Sequence, residues 1–218
     1  MNSNPDRKKK PFPSKTLCPE TDSIANFFIT EAVFEKGSSW GKKLKNPYQW
    51  HRIAWFAFPG TELKHRQFLF RIDETANNYR MLIQSSNLPT IPDDWNAKSL
   101  KLSISFYQTN NLPFLITVNP TKKGRDGKRY PIKTIAGQKQ WLKNKFEKVG
   151  CVAFEPKVLK NEALRFRKKK QRGSMLRVQM KGVLQVRNKR VFIQEGFFNG
   201  IGPGKSFGHG MIVFLPKK

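Results

Sequence analysis

The chain has 218 residues, and its 42 Lys and Arg against 15 Asp and Glu give a formal net charge of +27. This excess is far larger than solubility requires and predicts a polyanionic partner, nucleic acid above all. A hydrophobic share of 38% with 18 Phe excludes wholesale disorder, and no apolar run approaches the roughly 20 residues of a membrane-spanning helix.

Cysteine and histidine usage limits the chemistry further. Cys18 and Cys151 lie far apart without the spacing of metal ligands, and the histidines are His51, His65 and His209. We therefore expect no metal and no cofactor. The polar, basic N-terminus lacks the apolar segment of a secretory signal. We expect a soluble, cytoplasmic protein of a reducing compartment, with no membrane partner.

The first half of the chain predicts an α+β unit preceded by a basic extension. Residues 1–23 include four Pro and the run RKKK, so we interpret them as mobile. Asn46 is a favourable N-cap and Pro47 suits a first helical position, which predicts a helix that ends near Phe58. A basic loop is expected at 36–45. The predicted strands are 24–34, 67–73, 79–86 and 100–107.

This order indicates a ferredoxin-like unit over residues 24–110 whose second helix has shrunk or gone. A similar order follows over residues 111–218. The elements predicted there are a strand at 112–119, a basic turn at 120–130, a helix at 135–149, a strand at 151–159, a basic segment at 165–172, a strand at 176–186, a short helix at 191–199 and a strand at 211–215. The predicted fold is α+β, two tandem ferredoxin-like (RRM-like) domains with a C-terminal glycine-rich loop.

The glycine-rich loop, GIGPGKSFGHG at residues 200–210, is the most distinctive local feature. Exposed N–H groups of such a loop form a concavity that holds an anion such as phosphate. A nucleotide P-loop is excluded because the required first Gly is Asn199 and because a strand, not a helix, follows. A turn that merely leads into the last strand is the structural alternative.

Basic residues concentrate in the second unit and beside the predicted helix, which predicts a phosphate-binding face. An ordinary solvated surface is the alternative for the run at 165–172. The predicted RNA contacts are Lys43, Lys45 and Arg52 near the helix, Lys122, Lys123, Arg125, Lys128 and Arg129 in the basic turn, Arg165, Arg167, Lys168, Lys169, Lys170 and Arg172 in the basic segment, and Gly202, Gly204, Lys205 and Ser206 in the glycine-rich loop.

One histidine is placed for catalysis. A ribonuclease that needs no metal requires a base for the 2′-OH, an acid for the 5′-oxygen and positive charge for the phosphorane, and His titrates near working pH. His51 lies in the first turns of the predicted helix with Tyr48 one turn earlier. A purely structural role is the alternative. His65 is interpreted as a solvated loop residue, and His209 either touches RNA or fills a turn.

Several of these segments, in order, resemble the CRISPR repeat-processing endoribonucleases of the CasE branch. The glycine-rich loop is similar to the C-terminal signature of that family. Further similar segments are YQWHRIAW at 48–55, RQFLF at 66–70, NPTKK at 119–123 and QWL at 140–142. The order and spacing match over roughly residues 26–216.

The resemblance implies two ferredoxin-like folds and metal-independent cleavage at the base of a CRISPR repeat stem-loop, leaving a 2′,3′-cyclic phosphate. By motif, His51 matches the catalytic histidine and Tyr48 the catalytic tyrosine, and residues 165–172 fall where the family inserts a hairpin along the RNA stem. The implied partners are CRISPR RNA, whose 3′ hairpin is retained, and the other subunits of a Cascade-like effector complex.

The sequence departs from the family at one catalytic position. Some members carry a lysine five residues after the histidine, where this chain has Phe56. Lys43, Lys45 and Arg52 are candidates to supply that charge. Two alternatives therefore stay open: an RNA-hairpin-binding subunit that does not cleave, and a basic ribosomal or chaperone-like protein with two RRM-type folds that binds duplexes broadly.

Overall fold

Two four-stranded antiparallel sheets, one from each half of the chain, form the structure. The computed structural model describes residues 24–60, 66–105 and 111–216. The predicted extension at 1–23 and His65 lie outside these residues. Each sheet has the strand order of a ferredoxin-like unit, so the predicted fold class is confirmed.

The first sheet has the order β2-β3-β1-β4. Its strands are β1 (Ile24–Glu35), β2 (Phe68–Glu74), β3 (Asn78–Ser85) and β4 (Asn96–Ser105). Helices α1 (Ser39–Leu44) and α2 (Pro47–Trp55) cover one face. Residues 86–95 between β3 and β4 contain no helix, as the short predicted connection indicated.

Helix α1 corrects the loop predicted at 36–45. Its N-cap is Ser38, whose hydroxyl oxygen accepts from the Gly41 N–H, and Leu44 is fully buried at its end. The indole N–H of Trp50 donates to the Leu44 carbonyl at 2.8 Å, which ties α1 to α2. The basic composition concealed this helix because Lys42 and Lys43 occupy its exposed side.

The second sheet has the order β10-β5-β9-β8, with α3 packed on its buried face. Its elements are β5 (Leu112–Val118), β6 (Thr121–Lys123), β7 (Arg129–Pro131), α3 (Ile135–Glu147), β8 (Cys151–Lys168), β9 (Gln171–Val186), α4 (Lys189–Val191), a π-helix (Phe192–Phe198), a 3-10 turn (Lys205–Phe207) and β10 (Ile212–Phe214). Strands β6 and β7 pair with each other, so the predicted basic turn at 120–130 contains a small hairpin.

The β8–β9 hairpin is much longer than predicted. Residues 165–172, expected as a separate segment between strands, form the ends of both strands and the turn that joins them. The ladder continues because Leu164 and Met175, directly opposite each other, pack against the core of the first unit. That support comes from the other unit and leaves no local trace in the sequence.

The first unit in turn contributes a residue to the core of the second unit. Phe27 of β1 packs edge to face on Phe197 of the π-helix, with ring centroids 5.0 Å apart, and belongs to the core of the second unit. The side-chain amide of Gln84 donates to the Phe197 carbonyl at 2.9 Å. These contacts hold the C-terminal loop against the first sheet.

Candidate active site

Helix α2 presents His51 at the edge of its buried face. The Asn46 side chain accepts from the Tyr48 N–H at 3.2 Å, and Pro47 occupies the first turn, as predicted. Trp50, Ile53 and Ala54 are buried against the first sheet. This packing fixes the rotation of the helix and leaves His51 half-buried.

His51 faces residues from distant parts of the chain across a cleft of about 760 Å³. The cleft lies between α2, the start of β2, the end of the π-helix and the glycine-rich loop. Its lining residues are His51, Trp55, Arg66, Phe68, Phe198, Asn199, Gly202, Pro203, Gly204, Lys205 and Ser206. The predicted histidine and the four predicted loop residues therefore meet at one site.

The surroundings of His51 favour its neutral imidazole. The indole N–H of Trp55 donates to Nε2 of His51 at 3.0 Å. Burial lowers the pKa of His51, and the positive charge of Arg66 lowers it further. The His51 ring also lies over Phe70 with an interplanar angle of 30°.

Two cations, Arg66 and Lys205, line the same cleft. Burial lowers the pKa of both Arg66 and Lys205, and the charge of Arg66 further lowers the pKa of Lys205. Within the described ranges, neither side chain forms an ion pair, and no Asp or Glu lines the cleft. Neighbouring half-buried cations favour an anion between them because it offsets both repulsion and lost hydration.

The glycine-rich loop is shaped from beneath by His209. This histidine is fully buried, its Nδ1 donates to the Gly204 carbonyl at 3.1 Å, and Nε2 has no hydrogen-bond partner within the described residues. Gly204 adopts a φ of +88°, which favours glycine, and starts the 3-10 turn that carries Lys205. His209 therefore fills the turn, the second of its two predicted roles, and does not reach the surface.

Tyr48 does not line the cleft, although it lies one turn before His51. The ammonium of Lys168, at the end of β8, lies 5.7 Å from its ring centroid. Tyr48 thus lies between the cleft and the tip of the β8–β9 hairpin.

The hairpin tip is joined to α2 through the helix cap itself. The Asn46 amide donates to the Arg167 carbonyl at 2.7 Å, and the Arg167 N–H donates to Oδ1 of Asn46 at 3.1 Å. Phe166 contacts Phe207 of the 3-10 turn, with ring centroids 4.5 Å apart. One strand end therefore contacts both elements that carry His51 and Lys205.

A second, basic groove of about 730 Å³ runs beside this junction. It brings together four predicted RNA contacts: Lys45, Arg165, Arg167 and Arg172. Lys169, in the turn, adopts a φ of +51°, a conformation that a residue with a Cβ adopts at a cost. Asn or Gly would suit this position better.

The remaining predicted contacts lie outside both grooves. Lys43 lies over the Trp40 ring at 4.3 Å, and Arg52 points to Gln49 on the exposed side of α2. The ring of Phe56 packs against that of Trp40, with centroids 5.2 Å apart, and also lies outside the cleft. Lys122, Lys123, Arg125, Lys128 and Arg129 lie in the exposed β6–β7 hairpin and its turn.

Arg66 and Trp55 are two of the cleft residues that sequence reasoning did not assign to the site. Trp55 stands four residues after His51, one helical turn away, and this spacing predicts only that the two share a ridge. Arg66 belongs to the RQFLF segment, but nothing local distinguishes it from the other basic residues of the chain. In the described part of the chain, no three His, Cys, Asp or Glu side chains form a potential metal site, and no helix is long and apolar enough to cross a membrane.

Comparison with known proteins assigns the family. Residues 26–216 match the family model described as CRISPR associated protein. The chain belongs to this CRISPR-associated family. It is 26% identical to the Cascade subunit CasE of Escherichia coli over 82% of its own length and 94% of that protein. It is likewise 26% identical to the CRISPR-associated endoribonuclease Cse3 of Thermus thermophilus, over 87% of this chain and all of that protein.

Solved structures share the fold. The structure of the endoribonuclease Cse3 bound to a 19-nucleotide RNA superposes with a TM-score of 0.78 at 23% identity, covering 88% of this chain and 99% of that one. The crystal structure of Cas6e from Escherichia coli gives a TM-score of 0.70 at 22% identity, covering 88% and 100%. The tandem arrangement is therefore that of CasE-type proteins.

The Asn46 junction predicts a specific pattern of variant effects. Asn46→Ala removes the helix cap and both bonds to Arg167, and should lower the free energy of unfolding by about 1–2 kcal/mol. The Arg167 amide should then exchange its hydrogen faster, as measured by hydrogen–deuterium exchange with NMR. Asn46→Asp is the matched control because it retains the acceptor but loses the donor. Unchanged Arg167 exchange in Asn46→Ala would contradict the junction.

The burial of His209 predicts that the stability of the folded protein depends on pH. Burial lowers its pKa to about 4, whereas an unfolded histidine titrates near about 6.5. Between these values the unfolded chain binds a proton that the folded chain does not, so stability is lost as the pH falls from about 6.5 to about 4. The full loss is roughly 3 kcal/mol.

Urea unfolding of the wild type and His209→Gln at about pH 7.5 and about pH 4.5 isolates this effect. Carboxylates titrate in both proteins, so they cancel in the comparison. We expect the wild type to lose more stability on acidification than the variant. Equal losses would show that His209 is not held neutral by burial.

Proposed function

We propose that this protein is a metal-independent endoribonuclease that cleaves CRISPR precursor RNA at the base of the repeat stem-loop. It retains the 3′ hairpin of the product within a Cascade-like effector complex. The names of its relatives support this proposal: one is a Cascade subunit, another an endoribonuclease, and solved Cse3 structures hold RNA, including a pre-cleavage complex.

The observation that carries the proposal is the cleft in which His51 faces Arg66 and Lys205. A histidine that can accept or donate a proton and two nearby cations are suited to phosphodiester cleavage by an internal 2′-OH. In this proposal, Arg66 and Lys205 supply the positive charge for which Lys43, Lys45 and Arg52 were the candidates in the sequence. They do so although Phe56 occupies the position of the family lysine.

In the proposed reaction, the 2′-oxygen attacks the adjacent phosphorus while its proton passes to a base. The bond from phosphorus to the 5′-oxygen breaks, and that oxygen receives a proton from an acid. The products are a 2′,3′-cyclic phosphate and a 5′-hydroxyl. His51 serves one of these proton transfers, and Tyr48 interacts with the RNA next to it. Arg66 and Lys205 stabilise the additional negative charge of the phosphorane.

The basic groove provides a path for the RNA stem. Its cations are Lys45, Arg165, Arg167 and Arg172. Lys168, which follows Arg167 in the chain, lies beside Tyr48. An A-form stem is recognised mainly by its shape and its phosphates, for which such a rigid basic edge is suited. The base of the stem then lies at the His51 cleft, where the proposed cleavage occurs.

Cleavage of the cognate repeat RNA in EDTA tests the proposal. We expect the wild type to cleave in the chelator and His51→Ala to lose about 100-fold or more of the single-turnover rate, with hairpin affinity retained. The cyclic phosphate is checked by mass spectrometry. Cleavage by His51→Ala at the wild-type rate would contradict the proposal. Tight hairpin binding with no cleavage by either protein would instead indicate the non-cleaving subunit, and broad duplex binding the chaperone-like alternative.

Two sets of basic residues should separate catalysis from binding. Arg66→Gln or Lys205→Gln should lower the saturating cleavage rate by about 10- to 100-fold, because each removes charge from the phosphorane. Replacing Lys168, Lys169 and Lys170 with Gln should weaken affinity and flatten its salt dependence by up to about 0.7–0.9 in log–log slope per lost phosphate contact. The saturating rate of the triple variant should be nearly unchanged. If the cleft variants change only affinity, the two cations are not part of the reaction centre.

A further inference from the structure

The hydrogen bond between Trp55 and His51 determines which nitrogen of the imidazole carries the proton. The indole N–H is a donor only, so Nε2 of His51, 3.0 Å away, must be the acceptor. A neutral imidazole has one protonated nitrogen, which is then Nδ1. Within the described chain, Nδ1 has no protein hydrogen-bond partner, so it is the ring N–H available to a bound ligand.

Trp55 is itself held in place from the first sheet. Its ring meets Phe68 edge to face with centroids 5.0 Å apart, and Phe68 stacks on Phe58 with an interplanar angle of 4°. Trp55 also meets the His51 ring at 81°. The indole therefore has little freedom to follow the imidazole if that ring rotates, so the bond constrains His51.

We infer that Trp55 is a positioning residue for the cleavage reaction. It holds His51 neutral with Nε2 unprotonated, which leaves Nδ1–H as the ring donor for the RNA. This inference rests on the proposed nuclease function. Protonation of Nε2 would set two donors against each other and break the bond, so Trp55 stabilises only the neutral ring. Trp55 thereby controls both the tautomer and the ease with which His51 gains a proton.

The charge of Arg66 also lowers the pKa of His51, and the other polar groups near His51 must stay constant in a test. Arg66 precedes β2 and Lys205 lies in the glycine-rich loop, both across the cleft. Arg52 and Tyr48 are on α2 itself, and Glu195 in the π-helix acts on Lys205. A change confined to Trp55 leaves all of these groups in place, so the difference it produces comes from the indole.

Trp55→Phe removes the donor and keeps an aromatic ring against Phe68. We expect the pKa of His51 to rise, so that the limb of the pH–rate profile set by His51 moves to higher pH, whether His51 acts as acid or base. The saturating rate should fall by roughly fivefold, the equivalent of one neutral hydrogen bond, with KM nearly unchanged. Trp40→Phe is the matched control, because its indole N–H bonds Asp94 at 2.7 Å and does not contact His51.

Nitrogen-15 NMR of the histidine rings provides a readout independent of activity and of any variant at Trp55. His51→Ala identifies the His51 signals among the three histidines. We expect the wild type to show Nδ1–H with Nε2 unprotonated. A wild-type Nε2–H tautomer overturns the inference.

Coincident pH–rate profiles of the wild type and Trp55→Phe also overturn the inference about Trp55. In that case the nuclease proposal still stands if His51→Ala is inactive. Failure of the wild type to cleave its RNA removes the nuclease proposal, and with it any positioning role, even if the tautomer is as expected.

Discussion

The close approach of the glycine-rich loop to strand β2 is the constraint on which the site depends. Gly200 packs directly on Leu69, where an added Cβ would lie 2.9 Å from the side chain and 3.0 Å from the Gly210 carbonyl. A side chain at this position would force either Leu69 or the loop to move. Movement of the loop would change the position of Lys205 relative to His51 across the cleft. The sharing of Phe27 and Phe197 between the units maintains the same approach from the opposite side.

The electrostatics of the cleft follow from this close packing. Two half-buried cations are costly to keep close together, since each has lost part of its hydration. Elsewhere a buried cation has a carboxylate partner: Arg177, packed over the Trp50 ring, pairs with Glu162. Among the described residues, no carboxylate lines the cleft, which is consistent with the proposed binding of an RNA phosphate there.

Recognition and reaction are joined by one short strand end. Asn46 caps α2 and at the same time pairs with both backbone groups of Arg167, and the neighbouring Phe166 touches the glycine-rich loop. Under the proposed function, a stem bound along the hairpin would be held in a fixed relation to His51. The cleaved phosphate would then be selected by its distance along the stem, although the surface reads mainly shape and phosphate.

The sequence by itself determined those features whose causes are local. Alternation of apolar residues marked most strands, Asn46-Pro47 marked the start of α2, the glycine spacing marked the loop, and the ordered motifs indicated a CasE-type fold with His51 in a special position. Helix α1 was missed because its burial of Leu44 is tertiary, and the length of the β8–β9 hairpin was missed because Leu164 and Met175 are covered by the other unit. Likewise, only the tertiary structure selected Arg66 and Lys205 from 42 basic residues, set Trp55 against His51, and turned Tyr48 toward the hairpin. A propensity acts over a few residues, whereas the charge, burial and tautomer of a site depend on groups that the fold brings from far along the chain.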